Sequence, residues 1–271
     1  MKGTSGFILM VVACCFIAGN SYAQAARPAD TTRKVMQQPM RLKPKGPKPI
    51  KHEISGGLRL NSNGYSIYTD YGTVRSRNVK TADMFYNLRV LQLEFTEKKS
   101  PKEEKTVVDG SAGTGSGKYI YSKINNFYAL KLGYGFSKML AGKPDPGSVS
   151  VHWVNIFGVS LGMLKPYYLN VFSDPNAIKY SEDNKTNFFN QYLIIGNAGF
   201  SKGIGEMKFI PGGHFKSALH FDFAATRKNV LGAELGVNVE YYSADVPIMF
   251  NEKATPYFVD LFLAVQFGKR W

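Results

Sequence analysis

The stretch YFVDLFLAVQFGKRW, Tyr257 to Trp271, alternates along its whole length. Tyr257, Val259, Leu261, Leu263, Val265, Phe267 and Trp271 share one face, and Phe258, Asp260, Phe262, Ala264, Gln266 and Gly268 share the other. A period of two sustained this far marks a β-strand with one apolar side. The apolar side runs on to Trp271, and what it touches decides the fold.

The same alternation recurs from Glu53 onward. Glu53 to Asn61 sets Ile54, Leu58 and Leu60 against Ser55, Gly57 and Arg59. Tyr65 to Ser76 sets Tyr65, Ile67 and Tyr71 against Ser66, Asp70 and Gly72. Phe85 to Glu97 sets Leu91, Leu93 and Phe95 against Gln92, Glu94 and Thr96; Leu88 and Val90 are out of phase, and a bulge is expected there. Further strands follow over Tyr128 to Phe136 around Lys131, Val149 to Leu161 around His152, and Phe215 to Phe223 around Lys216, His220 and Asp222. Leu231 to Tyr241, around Glu234, Asn238 and Glu240, is the seventh, and the quoted stretch is the eighth.

The connections alternate between short turns, such as Ala141 to Gly147 and Arg227 to Asn229, and long polar segments, such as Ser100 to Gly117 and Pro166 to Gly213. In a meander, connections of equal parity lie at the same end. An even strand count with one short-turn end and one long-loop end matches an antiparallel transmembrane up-and-down barrel. The rival is a soluble barrel with its apolar face inward. A solvated exterior would be rich in Lys and Glu, whereas the second face here is mostly Gly, Ala and Ser with single charges. That composition suits a crowded lumen, which eight strands leave just wide enough for side chains. The apolar face is therefore expected to face lipid. Ten residues of the last strand, at about 3.3 Å each and roughly 45° tilt, span about 23 Å, close to the apolar band of such barrels.

Two aromatic girdles are expected on that outer face: Tyr65, Tyr128, Phe215, Tyr241 and Tyr257 at one end, and Tyr71, Phe136, Trp153, Phe223 and Phe267 at the other. Within the lumen, Arg59, Lys131 and Lys216 are expected to pair with Asp70, Glu94, Asp222, Glu234, Glu240 and Asp260, with His220 beside them.

Ahead of the barrel, Lys2 leads into an apolar run from Phe7 to Gly19, then Ser21-Tyr22-Ala23 and Gln24. This is the pattern of a cleaved secretory signal over residues 1–23, although Val11-Val12-Ala13-Cys14 also resembles a lipobox. Cys14 and Cys15 are the two cysteines, so the segment after Ala23 offers neither a disulfide nor a thiolate metal site. The formal net charge is +14, and half of it lies in residues 24–52, where Arg27, Arg33, Lys34, Arg41, Lys43, Lys45, Lys48 and Lys51 face one carboxylate, Asp30. With five prolines and few large apolar residues, this tail is expected to stay extended. An exported chain meets no nucleic acid, which leaves an anionic periplasmic polymer, lipid phosphates or a protein as the tail's partner. Residues 53–271 form the expected barrel, with long extracellular loops at about 98–120 and 166–213.

The alternating last strand with Phe267 and Trp271 near its end resembles the C-terminal assembly signal of bacterial outer-membrane barrels, which implies recognition by the barrel-assembly machinery. More closely, the chain resembles an uncharacterised family of Bacteroidota outer-membrane barrels. The resemblance rests on Gly56-Gly57-Leu58-Arg59-Leu60-Asn61, Glu97-Lys98-Lys99 with Pro101-Lys102-Glu103, Lys165-Pro166-Tyr167-Tyr168, Val246-Pro247-Ile248-Met249 and Phe267-Gly268-Lys269-Arg270-Trp271, with Gln24 after the cleavage site. It implies a place in the outer membrane, among lipid and lipopolysaccharide, and no particular chemistry.

His220, Asp222 and Glu234 fall near one another if their strands pair, a spacing similar to that of the lipid A 3-O-deacylase barrels. Asp222 stands where those enzymes carry a Ser, and a carboxylate is not that acyl-transfer nucleophile. A buried charge network satisfying itself is the plainer reading. Gly110 to Lys118 (GSAGTGSGK) lacks the Ser/Thr that follows the Lys of a phosphate loop and has no strand-to-helix setting. The four histidines show no metal-ligand spacing, and no cofactor is expected. Phe188 to Ile195 is apolar enough to need cover, as a capping helix, an extra hairpin making ten strands, or a partner surface. The expected function is a non-enzymatic structural or interaction barrel of the envelope, one concrete version being an accessory barrel of a secretion or envelope complex. The alternatives are a lipid-modifying enzyme and a narrow solute passage.

Overall fold

A computed structural model of the chain describes residues 50–74, 87–108, 117–142, 147–226 and 228–271. The expected signal 1–23, the tail as far as residue 49 and most of the glycine-rich run after Asp109 lie outside the described residues.

Eight strands close into a barrel: β1 (His52–Asn61), β2 (Gly64–Val74), β3 (Leu88–Lys98), β6 (Asn125–Ala141), β7 (Ser150–Pro166), β11 (Lys208–Asp222), β12 (Asn229–Val246) and β13 (Thr255–Arg270). Each pairs antiparallel with its predecessor, and β13 closes on β1 from Glu53↔Arg270 to Asn61↔Phe262. Closure pairs both edges of each of these eight strands. The termini of β1 and β13 share one end, the terminal end; the long connections leave from the other, the loop end.

Between the barrel strands lie β4 (Lys105–Val107) paired with β5 (Lys118–Ile120), and a small sheet ordered β10-β8-β9. The small sheet is built from β8 (Tyr168–Val171), β9 (Asp174–Lys179) and β10 (Ile194–Asn197), with α1 (Lys185–Phe189) and a 3-10 turn at Ile204–Glu206. These elements form a headpiece at the loop end.

The period-two pattern sets which way each side chain points. Leu60 is 67% exposed on the outside, while Arg59 beside it is 1% exposed inside. Three expectations change. Strand β3 carries no bulge: its register with β2 runs unbroken from Gly64↔Lys98 to Val74↔Leu88. Leu88 and Val90 point inward instead and pack with Val154 and Ile156, so the lumen itself turns apolar towards the terminal end on that side. The sixth barrel strand begins at Lys208, ahead of the expected Phe215, because Pro211, Gly212 and Gly213 hide the alternation of its first half. Finally, the segment containing Phe188 to Ile195 adds no hairpin to the barrel, and the ten-strand option falls away.

Tyr65, Tyr241 and Tyr257, and Tyr71, Phe136, Trp153, Phe223 and Phe267, are all exposed on the outer wall, as is Trp271. The Trp153 indole N–H donates to Ser217 Oγ on the neighbouring strand (3.0 Å), so its polar atom is satisfied within the apolar wall. Two girdle assignments need correction. Tyr128 is covered, stacked on Phe95 (5.9 Å) and met edge-on by Phe200 (6.1 Å). Phe215 sits halfway along β11, stacked on Phe157 (4.8 Å), and Phe209 holds the loop end of that strand.

Candidate functional site

The lumen is a column of ionised side chains. Among the described residues, five cations point inward (Arg59, Lys98, Lys131, Lys216, Arg270) with seven carboxylates (Glu53, Asp70, Glu94, Asp222, Glu234, Glu240, Asp260). At mid-height Arg59 pairs with Glu94 and lies 3.8 Å from Glu234. Its guanidinium is held between the rings of Tyr68 (4.5 Å) and Phe262 (4.4 Å), where it gains cation–π attraction on both faces. Gly57 makes room for this arrangement, because a side chain there would run into the Tyr68 ring and the Val265 carbonyl.

Lys131 bridges Glu94 (2.9 Å) and Glu240 (2.6 Å), and Lys98 bridges Glu240 (2.9 Å) and Asp260. Glu240 also accepts from the Tyr242 hydroxyl (2.7 Å) and from Asn238 Nδ2 (2.5 Å). Four donors thus converge on that carboxylate, three at Oε1 and one at Oε2. Lys216 reaches Glu234 (3.3 Å), which also lies 3.4 Å from His220 Nδ1. Burying such charges is costly unless each is paired and hydrogen-bonded, and shared partners are how this interior meets that cost.

Each expected network residue faces the lumen, but some partners differ. Asp70 is held by the side-chain amides of Gln92 (2.7 Å) and Gln266 (3.1 Å) rather than by a cation. Asp222 leaves the His220–Glu234 group and takes Arg270 (2.5 Å) and the Ala224 N–H (2.8 Å). Arg270 also binds Glu53 (2.6 Å), closing the terminal end. Lys98 and Arg270 join the network from outside the expected set, Lys98 from the expected loop at about 98–120 and Arg270 from the terminal motif. Simple parity, with even positions inward on both strands, would have found them.

Two groups in the lumen have the makings of chemistry. His214 Nδ1 lies 3.0 Å from Ser160 Oγ, a nucleophile-and-base spacing that the alternation did not flag. His152 and His220 stand edge to face (6.1 Å) beside a cavity of about 30 Å³. That is room for a water or two.

Above the charges the lumen is stoppered by apolar side chains. Phe127, Ala129, Leu164, Ile210, Tyr242, Val246, Ile248 and Met249 form one buried cluster, with Phe127 and Tyr242 edge to face at 5.0 Å. The β12–β13 connection lies across the mouth and is pinned there. Ile124 and Asn125 N–H groups donate to the Ile248 carbonyl (2.9 and 3.2 Å), and the Asn125 side chain donates to the Pro247 carbonyl (2.8 Å). Phe250 N–H donates to Ser122 (2.8 Å), a non-glycine residue at φ 64°. The Val246-Pro247-Ile248-Met249 motif is thus the lid of the barrel.

The headpiece has a separate core of Tyr119, Tyr167, Leu169, Val171, Ile178, Phe188 and Ile194. Its two parts meet where Gly117 crosses Gly196 so closely that a side chain on Gly117 would strike the Ile195 carbonyl. Towards solvent it presents Tyr192 (94% exposed), Phe172, Phe200 and Ile204. The Lys179 ammonium and the Tyr168 hydroxyl both donate to Glu206 (2.5 and 2.7 Å) and hold its carboxyl below the usual carboxylate range.

No protein-family model matches the chain. No curated protein matches it either. Among solved structures it is similar to Ail, the attachment invasion locus protein of Yersinia pestis, solved with the heparin analogue sucrose octasulfate, at 9% identity and TM-score 0.39, over 83% of this chain and 100% of that one. It is also similar to Neisserial surface protein A, at 9% identity and TM-score 0.34, over 82% and 94% of the two chains. The N-terminal β-barrel domain of Pseudomonas aeruginosa OprF matches at 8% identity and TM-score 0.31, over 82% and 98%.

Proposed function

We propose that the chain is a barrel of a bacterial outer membrane, serving as a non-enzymatic structural or interaction component of the envelope. One observation carries this reading: the outward side chains of all eight strands are predominantly large and apolar, around an interior of paired charges. Water outside would leave Leu58, Leu60, Ile67, Leu132, Val159, Leu235, Leu261 and Leu263 solvated in one continuous belt, far beyond the apolar patches soluble monomers expose. Lipid outside removes that penalty. The terminal end then lies in the periplasm and the headpiece outside the cell.

The lumen supports a structural role over the two alternatives. Glu234 pairs with Lys216 inside the lumen with His220 beside it, and Ser160 and His214 lie buried beneath the lid, so both pairs sit on the face turned away from the lipid-facing wall. A solute passage would need an opening wider than the cavity beside His152, with no apolar stopper above it. Contacts with partners then fall to the headpiece and to the basic residues of 24–52, which suit an anionic periplasmic polymer or an acidic protein. Phe267 and Trp271 are the residues for the assembly machinery to recognise.

Expressed with its leader in a Gram-negative host, the protein should fractionate with outer membranes and run faster on gels unless boiled. Recovery as a soluble periplasmic protein would end the proposal. Removing residues 25–48 should leave the heat-shifted band intact and lose a salt-sensitive envelope partner, because exposed charges are screened over roughly 8–10 Å near physiological ionic strength. Pull-downs unchanged by that deletion would reduce the tail to a spacer.

A further inference from the structure

Beside the lid, at the loop end of the wall, the surface opens into a cleft of about 340 Å³. Its floor includes Val246 and Met249, buried members of the stopper. One flank is the wall itself, through the outward side chains of Tyr257 and Val259. Lys99 and Lys253 stand among its lining. The cleft therefore runs from the apolar belt up to charged residues within a single depression, of a size that suits a small-molecule moiety.

The charges on its rim are unbalanced. Glu252 is the one carboxylate in the lining, and it is already taken by the Ser100 hydroxyl (2.6 Å) and by Lys102 (3.8 Å). Lys99 has the Tyr65 ring, 5.0 Å from its ammonium, and Lys253 is exposed; neither is in an ion pair among the described residues, and the neighbouring Glu97 carboxylate is taken by the Tyr65 side chain. Two cations without anions, directly above an apolar flank at the level of the tyrosines, are arranged for an amphiphile carrying negative charge at its head. Cations in this position gain most from an anionic membrane surface.

We infer that this cleft binds the phosphate-bearing headgroup of a membrane lipid, with phosphate oxygens at Lys99 and Lys253 and acyl chains along Tyr257 and Val259. The inference rests on the membrane reading above and goes beyond it by assigning one site and one ligand class. A lipid held there would brace the lid from outside, because the stopper residues Val246 and Met249 line the cleft.

The test is native mass spectrometry of the full chain released from nanodiscs containing equal parts phosphatidylcholine and phosphatidylglycerol. Wild type should retain phosphatidylglycerol selectively. The Lys99→Gln/Lys253→Gln double variant should lose that selectivity by roughly thirtyfold, while Lys179→Gln/Lys185→Gln on the headpiece should retain it. A heat-shifted band in both variants verifies that each is folded. Equal retention of the two lipids by wild type, or unchanged selectivity in the rim variant, overturns the inference and leaves the membrane reading standing. Displacement of phosphatidylglycerol by inorganic phosphate at matched concentration would make the cleft a site for the free ion and overturns it too. A protein that never enters the nanodisc removes both readings together.

Discussion

The headpiece and the barrel bury opposite kinds of side chain. In the headpiece, Leu169, Val171, Ile178, Phe188 and Ile194 are inside and Lys179, Glu182 and Lys185 are outside. In the barrel, Arg59, Lys98, Lys131, Glu94, Glu234 and Glu240 are inside, while Leu60, Leu132, Leu235 and Leu263 are outside. The headpiece follows the ordinary rule of a domain in water. One chain can follow both rules only if the two regions meet different solvents. The boundary between those solvents should run where the pattern inverts, near Tyr65, Tyr241 and Tyr257.

The largest expected effect lies in the lumen. Arg59→Ala removes one of the cations at Glu94 and at Glu234, leaving Lys131 and Lys216, and breaking a buried ion pair from one side costs about 3–5 kcal/mol. Urea titration of the folded band in detergent or lipid should show it. Arg59→Met combined with Glu94→Leu should be milder than Arg59→Ala, because removing both charges leaves less uncompensated. If the single change proves the milder, the network is not what holds the interior.

On the outer wall, Leu235→Arg should destabilise the barrel by about 2–4 kcal/mol if it sits near the membrane midplane. The same titration in lipid reads this out. Arg at Tyr192, out in the headpiece, should be tolerated, and equal penalties at the two positions would erase the proposed solvent boundary.

A smaller effect is expected at Gln266, whose amide serves Ser55 (2.6 Å) and Asp70 (3.1 Å). Gln266→Ala should cost about 1–3 kcal/mol, the penalty for leaving a buried polar group without its partner. The smallest belongs to the headpiece core. Ile194→Val removes one buried methylene and should cost about 0.5–1.5 kcal/mol. It should appear as faster proteolysis within residues 167–207, with the melting of the barrel unchanged. A shift in both would mean that headpiece and barrel unfold as one unit.

What the sequence revealed follows the same division. Every barrel strand was visible where side chains of opposite character alternate, as from Leu91 to Thr96 or Leu231 to Tyr241. The pattern failed where chemistry blurs it. Leu88 and Val90 are apolar on the lumen side, and Lys208 to His214 carries Pro211, Gly212 and Gly213 in place of clear alternation. The ion pairs were half legible. Parity gives the inward face of each strand, but the partner across the lumen depends on closure and register, which is how Arg270 reached Asp222 unforeseen. In the headpiece the strands β8 and β10 have four residues each and α1 has five, too short for any periodicity to stand out. The lid was present as a motif, Val246 to Met249, without any sign of what it covers.

The central claim is that the apolar wall faces lipid while the headpiece faces water. It is tested most directly by spin labels on single cysteines at Leu263 and Tyr192, with Cys14 and Cys15 replaced by serine, in protein reconstituted into vesicles. The account predicts that the Leu263 label is relaxed by oxygen, which concentrates in lipid, and is shielded from a water-soluble nickel chelate, with the reverse at Tyr192. A Leu263 label that the nickel chelate reaches as readily as it reaches Tyr192 would contradict it.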